Sequence, residues 1–261
     1  MEDDEMRYPE DFINKIIQGD CLEVMKNIPY DSVDLIITSP PYNLNIKYKN
    51  YNDNINLEEY YDWCKLWIKE SYRTLKNGGR FCLQIGSFNS KKQEPTYSSF
   101  TNLFRKEGFI FREFVIWNKN QISKRTAWGS WMSPSNPRII PPFEMIINFH
   151  KVSPKLLNKG ETDLTRKEFI NWTNGIWTIA PEHAKKMNHP APFPKELVKR
   201  CIKLHTWKDS IIMDIFNGSG TTTKVAKILG RKFIGIDISE KYCDIARKRL
   251  ANVPERLESF T

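Results

Sequence analysis

The chain has 261 residues, 40% hydrophobic and 13% aromatic, with 40 Lys and Arg against 31 Asp and Glu for a formal charge of +9. That length and composition suit one large domain, or a domain with a lobe, around a real core. No stretch approaches the roughly 20 apolar residues of a membrane helix, which excludes a helical membrane protein. The basic excess fits either a polyanionic partner or a merely basic soluble protein.

Residues 1–11 form an acidic, polar leader with no apolar run, unlike a signal peptide; a cytoplasmic, monomeric or homodimeric protein is expected. A first strand is predicted over Phe12–Ile17 and leads to Asp20, which suits either a helix N-cap or a ligand contact. A second strand, Val33–Thr38, runs into Ser39-Pro40-Pro41-Tyr42. Paired prolines fix two φ angles and bias Ser39 away from helix, giving a stiff corner at the carboxyl end of a strand. Open α/β sheets place their sites there. Such a corner has a chemical use. An exocyclic amine is a poor nucleophile, because its lone pair is delocalised into the base. Two acceptors on its N–H bonds favour a pyramidal nitrogen, and Ser39 Oγ and the Pro40 carbonyl can be those acceptors. Tyr42 offers a ring face to an extruded base. The plain alternative is a surface turn that closes a strand.

Helical spacing follows over Leu57–Leu75, with Tyr60, Cys64, Trp67, Ile68 and Leu75 on one side. Strands are predicted at Arg80–Ile85 and Phe109–Trp117. The pattern breaks over 118–182, where Lys119, Lys124, Arg125, Arg138, Lys151, Lys155, Lys159, Arg166 and Lys167 are interleaved with Trp128, Trp131, Trp172 and Trp177. Cations among aromatics suit backbone neutralisation and base stacking; the alternative is an irregular lobe whose tryptophans are core. Within this region Phe143–Phe149 is expected to return to the main sheet.

A helix over Leu197–His205 precedes a strand, Ser210–Ile215. That strand ends at Asp214 and leads through Phe216-Asn217-Gly218-Ser219-Gly220-Thr221 into a helix over Thr222–Leu229. Two glycines in a strand-to-helix turn let the backbone pass close to a ligand, and the helix start offers free N–H donors. The next strand, Lys232–Ile236, ends at Asp237 and Ile238, where a carboxylate can take both hydroxyls of a ribose. The turn lacks the third glycine of dinucleotide enzymes and the Gly-Lys-Ser/Thr of a P-loop. A cofactor without phosphates, S-adenosylmethionine, fits it better, with Asp214 toward the amino-acid end and Asp20 within reach of adenine. A last helix is predicted over Glu240–Ala251.

Five scattered cysteines, Cys21, Cys64, Cys82, Cys201 and Cys243, show no metal-ligand spacing, so reduced buried thiols and no metal are expected. Strand–helix alternation argues for a mostly parallel α/β sheet with helices on both faces.

Ile37-Thr38-Ser39-Pro40-Pro41-Tyr42, Asp214-Ile-Phe-Asn-Gly218-Ser-Gly220-Thr-Thr, Phe233-Ile-Gly-Ile-Asp237 and His189-Pro-Ala-Pro-Phe193-Pro-Lys195 together resemble the amino-group DNA methyltransferases of the permuted β class, in which the catalytic motif precedes the cofactor motif. The resemblance covers most of residues 12–251. It implies a seven-stranded, Rossmann-like methyltransferase sheet built from 12–117 and 183–253, with an inserted target-recognition lobe in 118–182. It also implies a flipped base in double-stranded DNA. Thr38 and the residues 216–221 and 238 around the turn are implied as cofactor contacts, with Phe193 and Lys195 carried over beside them. Serine preceded by Thr is the pattern of the cytosine-N4 enzymes; Asn43 is less typical of it, and adenine-N6 transfer is the nearest alternative. Protein glutamine methyltransferases carry a similar turn in the opposite order, and a DNA-binding module without catalysis would not need an intact Ser39, Gly218, Gly220 and Asp237. No cysteine follows a proline, so the nucleophile of cytosine-C5 enzymes is missing. A cognate restriction endonuclease is an expected partner, as in restriction-modification.

Overall fold

The structure is a computed structural model that describes residues 6–43, 54–87, 89, 92–120, 128–139, 141–182 and 194–254. In chain order these form β1 (Lys15–Gln18), α1 (Cys21–Lys26), β2 (Val33–Thr38), α2 (Leu57–Thr74), β3 (Leu75–Gly86), α3 (Thr96–Lys106) and β4 (Ile110–Asn118). Then come β5 (Trp128–Gly129), β6 (Pro137–Arg138), β7 (Phe143–His150), α4 (Arg166–Trp172), β8 (Ile176–Thr178), α5 (Lys195–His205), β9 (Ile211–Asp214), α6 (Thr221–Ile228), β10 (Lys232–Asp237) and α7 (Glu240–Ala251).

Eight strands make the main sheet in the order β1-β10-β9-β2-β3-β7-β4-β8. Only β7 runs against the rest, pairing antiparallel with both β3 and β4. Side chains alternate across the pleat. Phe81, Leu83 and Ile85 of β3 face a core layer shared with α1, α2 and α3. Cys82 of β3, Leu35 and Ile37 of β2, and Phe233 of β10 face the opposite layer, built from α5, α6 and α7. The stripe Tyr60, Cys64, Trp67 and Ile68 is the buried side of α2, as its spacing predicts.

All seven predicted strands are present, including β7 inside the irregular region. The eighth, β8, corrects the expected count. It is a three-residue edge strand parallel to β4, and only Trp177 of it is buried. So short a segment leaves no periodicity to read. Helices α1, α3 and α4 also go beyond the predicted set. All five cysteines are free and buried. Among the described residues, no helix is long and apolar enough to cross a membrane.

The sheet has one switch point. From β2 the chain crosses by α2 to β3 on one side; from β9 it crosses by α6 to β10 on the other. β2 and β9 are hydrogen-bonded neighbours, with Leu35 opposite Ile212 and Ile36 opposite Met213. The switch point lies at their carboxyl ends, which is where open α/β sheets have the crevice that binds ligands.

Candidate active site

The two motifs meet at that crevice. Thr38, the last residue of β2, donates its hydroxyl to Asp214 Oδ1 at the end of β9, at 2.7 Å, in a fully buried contact. Everything after Thr38 belongs to the proline corner, and everything after Asp214 belongs to the glycine turn. One buried hydrogen bond therefore fixes the spacing between them.

The corner is held from several sides. Tyr60 of α2 donates its hydroxyl to the Pro41 carbonyl at 2.6 Å. Asn89 Nδ2 donates to the Tyr42 carbonyl at 3.3 Å. Asn43 is buried with φ +55°, a left-handed conformation that Asn tolerates better than most side chains. Its amide exchanges two hydrogen bonds with the backbone of Ile55, each 2.9 Å. The asparagine thus has a structural task, clamping the end of the corner to the chain before α2. Ser39 Oγ donates to the Tyr42 hydroxyl at 3.0 Å, which in turn donates to the Gln84 carbonyl at 3.4 Å. Ser39 remains partly exposed beside the crevice while Pro40 is buried. A hydroxyl and a carbonyl held this firmly satisfy the geometric demand of a reaction driven by placement.

The glycine turn is equally constrained. Gly218 and Gly220 both have positive φ, +49° and +76°. Gly218 N donates to Asp237 Oδ2 at 2.7 Å, and Ser239 N donates to Asp237 Oδ1 at 2.9 Å. Each carboxylate oxygen keeps a further lone pair for a ligand. Burial pushes the Asp237 carboxyl above its usual range, against the pull of these two donors. Asp214 is more strongly affected: burial raises it to about 6, although Thr222, Thr38 and the Phe216 N–H at 3.2 Å pull it down. Two carboxylates at one switch point suit a ligand that carries a cation and hydroxyls, and repel one that carries phosphates.

The other predicted residues surround this centre. Thr221 opens α6 and is buried. Asn217 N is bonded to the Ile236 carbonyl at 2.9 Å, and its Oδ1 accepts from Thr223 at 3.1 Å. Phe216 packs against Trp63 and Trp67 of α2, both with ring centroids at 5.6 Å. Lys195 begins α5 and is exposed, and Ile238 lies just beyond β10, also exposed. Asp20 caps α1 by accepting from Leu22 N at 2.8 Å, and Gly19 N donates to the Asp237 carbonyl at 3.0 Å, so the cap stands next to Asp237. Phe193 lies outside the described residues.

Three groups escaped the motif reading. Arg249 of α7 reaches under the glycine turn, donating to the Ser219 carbonyl and, at 2.8 Å, to Ser219 Oγ. Gln84 and the structural task of Asn43 were the others; the sequence marks Asn43 only as a less typical residue after Tyr42. Two of the tryptophans in 118–182 are core rather than stacking platforms. Trp172 and Trp177 are buried, and the Trp177 Nε1 donates to the Trp172 carbonyl at 3.0 Å. Lys151 is buried as well, paired with Asp31 at 2.8 Å. Among the described residues, no group of three or more His, Cys, Asp or Glu could hold a metal ion.

Gly220→Ala should reveal how tight the turn is. A Cβ there would sit 2.7 Å from the Ala246 Cβ of α7, on a residue with φ +76°. We expect a loss of about 1–3 kcal/mol in urea unfolding and at least a tenfold weaker cofactor affinity. Adding Ala246→Gly should recover the steric part only. Unchanged affinity in the single variant would separate this turn from ligand binding.

Comparisons with known proteins agree with this geometry. The profile of the DNA methylase family of N6 and N4 methyltransferases matches residues 33–248. The Type II methyltransferase M.MjaVI of Methanocaldococcus jannaschii is 45% identical over 174 residues, covering 66% of this chain and 89% of that one. Protein TTHA0409 of Thermus thermophilus, solved in complex with S-adenosyl-L-methionine, superposes with a TM-score of 0.71 at 25% identity, covering 92% of this chain and 94% of that one. The PvuII DNA methyltransferase, described as cytosine-N4-specific, shares the fold with a TM-score of 0.69 at 23% identity, covering 90% and 85%. With a proline corner and a glycine turn joined at one switch point, and with the family profile spanning most of its length, the chain belongs to the N6/N4 DNA methylase family.

Proposed function

We propose that this chain transfers a methyl group from S-adenosylmethionine to the exocyclic N4 amino group of cytosine in double-stranded DNA, by base flipping and direct transfer. The observation that carries the proposal is the buried Thr38–Asp214 hydrogen bond. It joins the corner that we assign to the amine to the turn that we assign to the cofactor, where the carboxylates of Asp214 and Asp237 lie close together. S-Adenosylmethionine fits that pair of acids: Asp214 would hold its ammonium and Asp237 its ribose hydroxyls. When bound, it supplies an electrophilic methyl group on a sulfonium.

The protein's residues do the rest. Ser39 Oγ and the Pro40 carbonyl accept the two N–H bonds of the target amine. This withdraws its lone pair from the ring and aims it into the crevice. Tyr42 presents a ring face to the base while its hydroxyl orients Ser39. No covalent bond to the protein is required. Cytosine is favoured because the corner is Thr-Ser-Pro-Pro-Tyr; adenine N6 is the alternative for the same geometry. We place target recognition within 118–182, outside the sheet strands β7 and β8. Because a relative carries a Type II name, a restriction endonuclease acting on the same site is the expected cellular counterpart.

Incubating the protein with genomic DNA and S-adenosylmethionine should yield N4-methylcytosine on digestion to nucleosides, and single-base mapping of the intact DNA should place it at a single short sequence. N6-Methyladenine alone would reassign the base, and unmodified DNA would refute transfer altogether.

A further inference from the structure

Between β4 and β7 the chain leaves the sheet and returns. The two roots of this excursion are tied together and to the catalytic corner. Lys119 N donates to the Pro142 carbonyl at 3.2 Å, and the Lys119 ammonium pairs with Glu144. Glu144 accepts from Gln84 Nε2, and the Gln84 carbonyl accepts from Tyr42. The excursion therefore springs from the carboxyl edge of the sheet, directly beside the site.

Its outer part is the β5–β6 hairpin, with Trp128 opposite Arg138 and Gly129 opposite Pro137. The loop of that hairpin is built by its own polar groups. Ser130 Oγ donates to the Ser133 carbonyl at 2.6 Å and accepts from Asn136 N at 2.9 Å. Ser130 N donates to the Asn136 carbonyl at 3.0 Å. Gly129 has φ +85°, and a Cβ on it would lie 1.9 Å from the Asn136 oxygen. The apolar side chains instead point outward: Trp131 is 74% exposed and Met132 is 89% exposed at the tip, with Ile139 at 91% on the returning limb. A solvated loop normally does the reverse, and a hydrogen-bonded loop that shows large apolar side chains marks a binding surface.

Charge identifies the partner. Residues 114–143 contain no Asp or Glu and four cations, Lys119, Lys124, Arg125 and Arg138, of which Lys119 is paired with Glu144. An apolar tip on an acid-free, cationic arm is complementary to a polymer with an anionic rim and a stacked apolar interior, which describes duplex nucleic acid. Resting on the function proposed above, we propose that the Trp131–Met132 tip is a wedge that enters the base stack beside the target base and fills the space that base vacates. Apolar wedges between base steps are an established way to hold a duplex open. Extruding a base loses its pairing and stacking, and the indole and thioether would replace part of the stacking. The wedge should then matter only when the target base is still paired.

The test uses two duplexes carrying the methylated sequence mapped from exposed genomic DNA. One is fully paired; the other has an abasic position opposite the target base. Trp131→Ala and the double variant Trp131→Ala/Met132→Ala are compared with the unaltered protein. Both side chains are exposed, so unfolding midpoints and cofactor affinity should be unchanged. We expect the double variant to transfer at least tenfold more slowly to the paired duplex and within about twofold of normal to the abasic one. Equal losses on both duplexes, or no loss on either, would overturn the wedge and leave the methylation reading standing. Absence of transfer by the unaltered protein to both duplexes would overturn that reading instead.

Discussion

Replacing Ser39 by alanine should leave cofactor affinity unchanged and lower methyl transfer at least tenfold, a rise of about 1.4 kcal/mol or more in the barrier. The expectation follows from where the hydroxyl stands. Ser39 is the first residue beyond β2, its backbone conformation restricted by Pro40, and its Oγ is bonded to Tyr42 at 3.0 Å. Nothing in the glycine turn touches it, so the cofactor crevice should survive its removal. The target amine would lose one of two acceptors and keep more of its lone pair in the ring. Such an interaction is stronger in the transition state than in the ground state, so the loss should fall on turnover rather than on KM. Tyr42→Phe should show a milder version of the same split, since it preserves the ring face but releases Ser39. Single-turnover rates at saturating cofactor and DNA would measure both. A Ser39→Ala protein that turns over normally would remove the serine from the mechanism and leave only the Pro40 carbonyl.

Much of this site was legible because each motif has a strand before it and a local conformational reason to exist. Two prolines cannot continue a strand, and two positive-φ glycines cannot be replaced cheaply at a strand-to-helix turn. Both therefore mark carboxyl edges without any knowledge of the sheet order. The sheet order had to come from three dimensions. Thr38 and Asp214 are 176 positions apart, and no local pattern announces their bond. The same applies to Arg249, whose partners on the glycine turn come from a different βα unit. Residues 118–182 were the least legible. Aromatic and cationic residues alternate there, yet Trp172 and Trp177 are pulled inside by α5, where Arg200 lies over both rings at 5.5 and 5.3 Å. Composition counts a tryptophan the same way whether it stacks on a base or on an arginine of its own chain. Only burial separates Trp172 from Trp131. The short strand β8 was missed for a related reason: with one buried residue in three, it is defined by its neighbour rather than by itself.

The pH dependence of cofactor binding should report on Asp214. Burial holds its carboxyl at about 6 in the free protein, against an ordinary value of 3.8. Asp237 lies close enough to add to the rise, while Thr38, Thr222 and the Phe216 N–H oppose it. If Asp214 meets the ammonium of S-adenosylmethionine, the bound state favours the ionised form. Affinity should then be flat above pH 7 and fall about tenfold for each unit below 6, as the proton competes with the ligand. Calorimetry in buffers of different ionisation enthalpy should detect a proton released on binding near pH 5.5. The stability of the free protein should move oppositely to what a salt-bridged acid would give. The folded state binds the Asp214 proton more tightly than the unfolded chain, so its contribution is most favourable below about pH 4 and is lost as pH rises through 6. At neutral pH the buried charge therefore costs up to about 3 kcal/mol, and Asp214→Asn should unfold at higher urea than the natural protein while binding the cofactor weakly and without the acid limb. Destabilising alone and compensated in charge by its ligand, such a carboxylate couples the stability of the fold to the presence of the methyl donor. A pH-independent affinity between 4 and 8 would show that the ammonium goes elsewhere, and that the buried acid serves only to join β2 to β9.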